Sequence, residues 1–181
     1  RPCTLLMLPI TMMAIYYFIL ILFIGVPALT TLNFYLLLGA TFSISAAGYI
    51  INDYFDRKID LMNRPDNVVV GTRIHRRFAI ILHWVFNIIG IVLGVYLSYR
   101  IGHVWYGLIF IISASILWYY SISFKRKLLI GNLVVAVMTA LVPYLVFFYE
   151  VLSFPGEAIE VSQDLAYLRI IFMGFSIFAL L

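Results

Sequence analysis

The stretch LNFYLLLGATFSISAAGYIINDYFDRKID, Leu32 to Asp60, joins an apolar run to an acidic one without a break. Its first part, Leu32–Ile51, has the length and character of a bilayer span, which takes roughly 20 mostly apolar residues. Its second part is charged. Asn52, Asp56 and Asp60 recur at i, i+4 and i+8, and Asp53, Asp56 and Asp60 at i, i+3 and i+7. If the helix continues through them, both sets share one stripe, spread over about 12 Å of its length. Within the span, Ser43, Ser45, Ala46, Ala47 and Gly48 make a small-residue face suited to close helix packing.

The rest of the chain has the same character. Hydrophobic residues make up 65% of the 181 and charged residues 11%, against about half and a quarter in soluble domains. Lipid is the solvent that such a composition requires. The fold class is therefore all-α, a single polytopic membrane helical bundle covering residues 1–181. Six stretches read as spans: Thr4–Val26, Leu32–Ile51, Phe78–Tyr99, Val104–Ser121, Leu128–Phe148 and Leu165–Leu181. Tyr99, Trp105, Tyr119, Tyr120 and Tyr149 stand near their ends, where interfacial aromatics anchor a helix.

Loop charge sets the orientation. Arg57, Lys58, Arg64, Arg73, Arg76 and Arg77 follow the second span, and Lys125, Arg126 and Lys127 follow the fourth. The loop after the fifth is acidic, with Glu157, Glu160 and Asp164. The excess of Lys and Arg predicts that the two basic loops face the cytoplasm. Arg1–Gly25 does not read as a signal peptide, because its apolar run is long for one and no small-residue cleavage site follows. The start at Arg1 and the apolar end at Leu181 predict a chain trimmed at both ends. The single Cys3 excludes an intrachain disulfide. No zinc spacing, nucleic-acid motif or glycine-rich phosphate loop is present.

Carboxylates crowded on one stripe repel each other unless a cation sits among them. Mg²⁺ takes such oxygen ligands, one or two carboxylates together with substrate phosphates. Asn52, Asp53, Asp56 and Asp60 are thus candidate Mg²⁺ ligands for a diphosphate, the more so because they abut a span, where charge is costly. The same stripe also reads as a solvated helix end whose acids pair with Arg57, Lys58 and Arg64.

A second polar stretch, YYSISFKRK at Tyr119–Lys127, precedes Gly131 and Asn132 on the same predicted membrane face. Lys125 and Arg126 suit phosphate oxygens, and Tyr120 and Ser121 can donate hydrogen bonds to them. An ordinary basic loop with interfacial aromatics would look similar. Between the two stretches, Met62–Gly71 contains Pro65, which disfavours helix at Arg64, and could fold over the acidic stripe. His83 and Asn87 read as packing residues. Arg169 either snorkels or faces the bundle interior.

NDYFDRKIDLMNRP, Asn52 to Pro65, resembles the first acidic motif of the UbiA family of intramembrane prenyltransferases, whose core NxxxDxxxD falls on Asn52, Asp56 and Asp60. YSISFKRKLLIGN resembles the family's second conserved stretch, on Tyr120, Ser121, Lys125, Arg126, Gly131 and Asn132. The variation at Pro65–Gly71 resembles members that act on geranylgeranylglyceryl phosphate. The resemblance runs from about Gly48 to Val151.

It implies a bundle of about nine helices around a cavity, and Mg²⁺-dependent transfer of a prenyl group from a polyprenyl diphosphate to a lipophilic acceptor. That acceptor is an aromatic or quinone precursor, or a glycerol-phosphate lipid precursor. Asp56 and Asp60 would be catalytic. Arg64, Tyr120, Ser121, Lys125, Arg126 and Asn132 would bind the diphosphate. The family's second Asp-rich motif would begin about where the chain stops, so residues 1–181 alone are expected to be inactive. A transporter or channel using the Asp cluster as a cation site is the alternative. A structural subunit whose acids pair with local Arg and Lys is a third reading.

Overall fold

A backbone in lipid must satisfy its polar groups within itself, and for apolar runs of this length that means helix. The computed structural model describes residues 2–63, 68–154, 170, 173 and 174. They form α1 (Pro2–Ala14), a π-helical segment (Ile15–Leu20), α2 (Ile21–Ile24), α3 (Thr31–Asn63), α4 (Arg76–Arg100), α5 (Leu108–Ile122) and α6 (Leu128–Ser153). Short 3₁₀ turns at Val104–Gly107 and Phe124–Arg126 precede α5 and α6. The extended pairing among the described residues is one isolated bridge, Val70 with Ile74.

Four helical runs are long and apolar enough to cross a membrane: Thr31–Asn63, Arg76–Arg100, Val104–Ile122 and Leu129–Ser153. The expected first span is present as the continuous run from α1 through α2, ended by Gly25 at φ 77°. The expected sixth span lies outside the described residues apart from Ile170, Met173 and Gly174. Arg169 and the acids Glu157, Glu160 and Asp164 also lie outside them.

At 33 residues, α3 is about 50 Å long and outruns a hydrocarbon core of about 30 Å. Its last turns, which carry the acids, therefore project beyond the apolar layer. The described part of this helix runs to Asn63. The following turn doubles back, with Val68 and Val70 buried and Gly71 at φ 85°. Gly71 lies so close to the Arg57 side chain that a Cβ there would overlap the guanidinium. The segment expected to cover the acidic stripe thus packs, where it is described, at Arg57 on the flank of α3. Arg76 at the start of α4 stacks over the Tyr54 ring at 4.7 Å, another tie to α3.

Small residues bring α3 and α4 together. A Cβ on Gly90 would fall 2.6 Å from Ile44 Cγ1 and 3.0 Å from the Ala40 carbonyl oxygen, so the backbones approach as only glycine allows. His83, Asn87, Gly90, Gly94 and Leu97 form the buried face of α4, while Trp84, Ile88 and Val92 face outward as a lipid-exposed face would. His83 Nδ1 bonds the Ala47 carbonyl at 2.9 Å, and Asn87 Nδ2 lies 3.0 Å from His83 Nε2. These two residues are packing residues, as their position in the span suggested.

At the other end of the bundle, α6 anchors the entry to α3. The fully buried Glu150 accepts hydrogen bonds from the Ala28 N–H at 2.6 Å and the Leu29 N–H at 2.9 Å. Tyr16 secures the same loop through a bond from its hydroxyl to the Leu29 carbonyl, 2.9 Å long, and stacks on Phe34.

Candidate active site

The two polar stretches meet. Lys125 stands on the 3₁₀ turn between α5 and α6, and its Nζ donates to Asn52 Oδ1 at 3.1 Å. The same ammonium forms an ion pair with the Asp56 carboxylate. Asp56 is buried, whereas Lys125 remains partly exposed.

Local sequence explains how the lysine gets there. α5 ends with the Ser123 N–H on the Tyr119 carbonyl, and the turn closes with the Lys127 N–H on the Phe124 carbonyl, each at 2.9 Å. α6 then starts directly beneath the turn, because Gly131 has no side chain. A Cβ there would sit 2.9 Å from the Phe124 carbonyl oxygen.

Behind the lysine lies a cavity of about 570 Å³ enclosed by α1, α3, α5 and α6. Asn52, Tyr120, Ser121 and Lys125 form its polar end, with Tyr49 beside them. Deeper in, Ile44, Phe110, Leu117, Met138 and Leu145 make it apolar. Lys125 is the charged residue among the described lining residues; the others are neutral. The Ser121 hydroxyl donates to the Leu117 carbonyl at 3.0 Å, which leaves its oxygen lone pairs available as acceptors.

The other expected site residues are distributed differently. Asp53 lines a second, smaller cleft of about 270 Å³ with Phe42, Ile50 and Phe86, and Tyr49 forms part of the wall of both. Asp60 is half-buried further along α3, outside the cavity lining. Asn132 is exposed and also outside the lining. Arg64 and the Arg126 side chain lie outside the described residues. Of the deep polar residues of the cavity, Ser45 reads from the sequence as part of a packing face, and Thr41, Ser113 and Thr139 carry no expectation. Ser113 with Leu117, Tyr120 and Ser121 keeps the i, i+4, i+7, i+8 spacing of one helix face, which is the signal that could have found it.

As for a metal, the oxygens of Asn52 and Asp56 converge on a positive charge, the lysine ammonium. That donor chemistry suits Mg²⁺. Among the described residues no three Asp, Glu, His or Cys side chains gather as a metal site. A divalent ion held here would complete its coordination from water or a bound phosphate, as Mg²⁺ commonly does. The arrangement can therefore hold an anionic head group at its mouth and an apolar tail behind it.

Known proteins are similar to this chain in sequence. The digeranylgeranylglyceryl phosphate synthase of Sulfurisphaera tokodaii is 39% identical over 98 residues, covering 54% of this chain and 34% of that protein. The protein of the same name from Ignicoccus hospitalis is 34% identical over 137 residues, covering 74% of this chain and 41% of its own length. That from Methanothermobacter thermautotrophicus is 32% identical over 100 residues, or 55% and 34%. The chain thus spans between 34% and 41% of these curated relatives. No solved structure matches. The model of the UbiA prenyltransferase family matches residues 7–181, nearly the whole sequence. The chain belongs to the UbiA prenyltransferase family.

Proposed function

We propose that the protein transfers a prenyl group, within the membrane and with Mg²⁺, from a polyprenyl diphosphate to a glycerol-phosphate lipid precursor. The observation that carries this reading is Lys125, which joins the acidic stripe of α3 to the mouth of an apolar cavity. The names of the relatives support the lipid acceptor.

Asn52 and Asp56 would hold Mg²⁺, with Asp53 and Asp60 adding negative charge along the same helix end. When bound, the ion neutralises diphosphate and makes it a better leaving group. Lys125 then turns from Asp56 to the diphosphate oxygens, where its charge opposes the charge that develops as the allylic C–O bond breaks. Tyr120, at the polar end of the cavity, would donate a further hydrogen bond to the same head group. The electron pair of the broken bond leaves with the diphosphate. The prenyl tail lies along Ile44, Leu117 and Met138, and these walls keep water from the cation left at C1. The acceptor hydroxyl attacks C1, forming the ether bond, and its proton leaves with the released diphosphate. The basic loops that carry these residues face the cytoplasm, by their excess of Arg and Lys.

Because the charged residue among the described lining residues is a cation, at the mouth, the head-group reading is favoured over a cation channel, whose filter takes rings of carboxylates or carbonyls. The direct test is to incubate the full-length protein with geranylgeranyl diphosphate and geranylgeranylglyceryl phosphate. Mg²⁺-dependent release of diphosphate coupled to formation of the ether product is expected. Diphosphate release without the ether, or no dependence on the acceptor, would overturn the lipid assignment.

A further inference from the structure

The apolar end of the cavity has an unusual construction. Phe110 forms part of it and is almost completely buried. On the side away from the cavity its ring lies flat against α4 at Gly94, so close that a Cβ on Gly94 would overlap ring carbons. Next to it is Tyr149, with ring centroids 6.0 Å apart. The Tyr149 hydroxyl is itself tied to Ser98 Oγ at 2.8 Å. The phenyl ring is thus backed by a helix that has been hollowed at one residue to receive it.

We propose that Phe110, seated in the notch at Gly94, is the end wall that sets the longest prenyl chain the site accepts. The proposal rests on the prenyl-transfer reading of this cavity and adds a specificity-determining residue to it. Phe110 and Ser121 both line the cavity, and the helix between them rises about 16 Å. A fully extended chain advances about 1.2 Å per bond, and an isoprene unit contributes four main-chain bonds. The space between head group and Phe110 therefore takes roughly three to four units. Gly94 decides where the wall stands. A methyl at that position would overlap the ring and push it toward the cavity it lines. Removing the ring opens the space up to Gly94 and Tyr149.

The test uses the full-length protein and its Phe110→Ala, Phe110→Leu and Gly94→Ala variants. Affinity and turnover are measured with geranyl, farnesyl, geranylgeranyl and longer polyprenyl diphosphates, and inorganic diphosphate serves as the tail-less control. Phe110→Ala should move the preference toward longer chains and Gly94→Ala toward shorter ones, each by on the order of tenfold in relative kcat/KM. Phe110→Leu should fall between wild type and Phe110→Ala, and it carries the test if the alanine variant does not fold. An unchanged ranking of chain lengths in folded variants, with wild type still preferring prenylated over inorganic diphosphate, would overturn the role of Phe110 alone. Wild type that binds prenylated and inorganic diphosphate equally would overturn the transferase reading of the cavity, and the end wall with it.

Discussion

Lys125 and Asp56, 69 residues apart in the chain, form an ion pair at the mouth of the cavity, and the same ammonium bonds Asn52. Two family motifs are thus joined through one cation before any substrate is present. The lysine offsets carboxylate repulsion on α3 and holds the place that a metal ion and a diphosphate would together take.

On the proposed reading, Lys125 competes with Mg²⁺ for Asp56 and also binds diphosphate. Lys125→Ala should tighten Mg²⁺ binding in the absence of substrate, because Asp56 loses its resident counter-charge. It should weaken geranylgeranyl diphosphate binding in the presence of Mg²⁺ by on the order of tenfold to a hundredfold, as expected for one hydrogen bond between charged groups. Calorimetric titrations of the full-length variant with each ligand separate the two effects. Weakening of both would mean that the lysine is needed for the fold of the mouth rather than for its charge balance.

The acids of α3 should not be equivalent. Asp56 touches the lysine and is buried, whereas Asp53 lines the separate, smaller cleft. Asp56→Asn should therefore cost more Mg²⁺ affinity than Asp53→Asn. A variant series followed by Mg²⁺ titration checks the order, and an equal loss from both would place Asp53 in the same coordination shell.

The glycine before Asn132 has a mechanical duty. Gly131→Ala would bring a Cβ to 2.9 Å from the Phe124 carbonyl oxygen and lift the turn that carries Lys125. Overpacking of this kind costs about 1–3 kcal/mol. The expected result is a lower unfolding temperature together with weaker diphosphate binding. Stability lost without any change in binding would show that the turn adjusts elsewhere.

Much of this was legible in the sequence, for physical reasons. Apolar runs in lipid can form little other than helix, so the spans followed from composition and length. The convergence of Asn52, Asp56, Lys125, Tyr120 and Ser121 at one place followed from two motifs assigned to one membrane face. What the stripe concealed was its width. Asn52 and Asp53 are separated by about 100° around a helix, so its two edges face different neighbours, Asn52 the main cavity and Asp53 the cleft against α1 and α4. Helical spacing names a face but not what covers it. Glu150 was hidden for a related reason. Its partners, the Ala28 and Leu29 N–H groups, stand more than a hundred residues earlier. Phe110 and Gly94 are unremarkable letters in apolar runs, and their pairing exists only in the packed bundle.

The Glu150 contact gives a stability prediction away from the site. Glu150→Ala leaves two backbone N–H groups without their acceptor, at a cost of about 1–3 kcal/mol for each unsatisfied group. Glu150→Gln keeps an acceptor oxygen and should lose less. Thermal unfolding in detergent measures both, and an alanine variant as stable as wild type would show that water or lipid head groups replace the carboxylate.

The central claim is that one head group binds between the acidic stripe and Lys125 while its tail fills the cavity. The most direct measurement is the affinity of full-length protein for geranylgeranyl diphosphate, with and without Mg²⁺, in wild type, Asp56→Asn and Lys125→Ala. The account predicts tight binding to wild type only with Mg²⁺, loss of the Mg²⁺ dependence in Asp56→Asn, and weakened but still Mg²⁺-dependent binding in Lys125→Ala. Binding that is indifferent to Mg²⁺ in wild type, or unchanged by both substitutions, would contradict it.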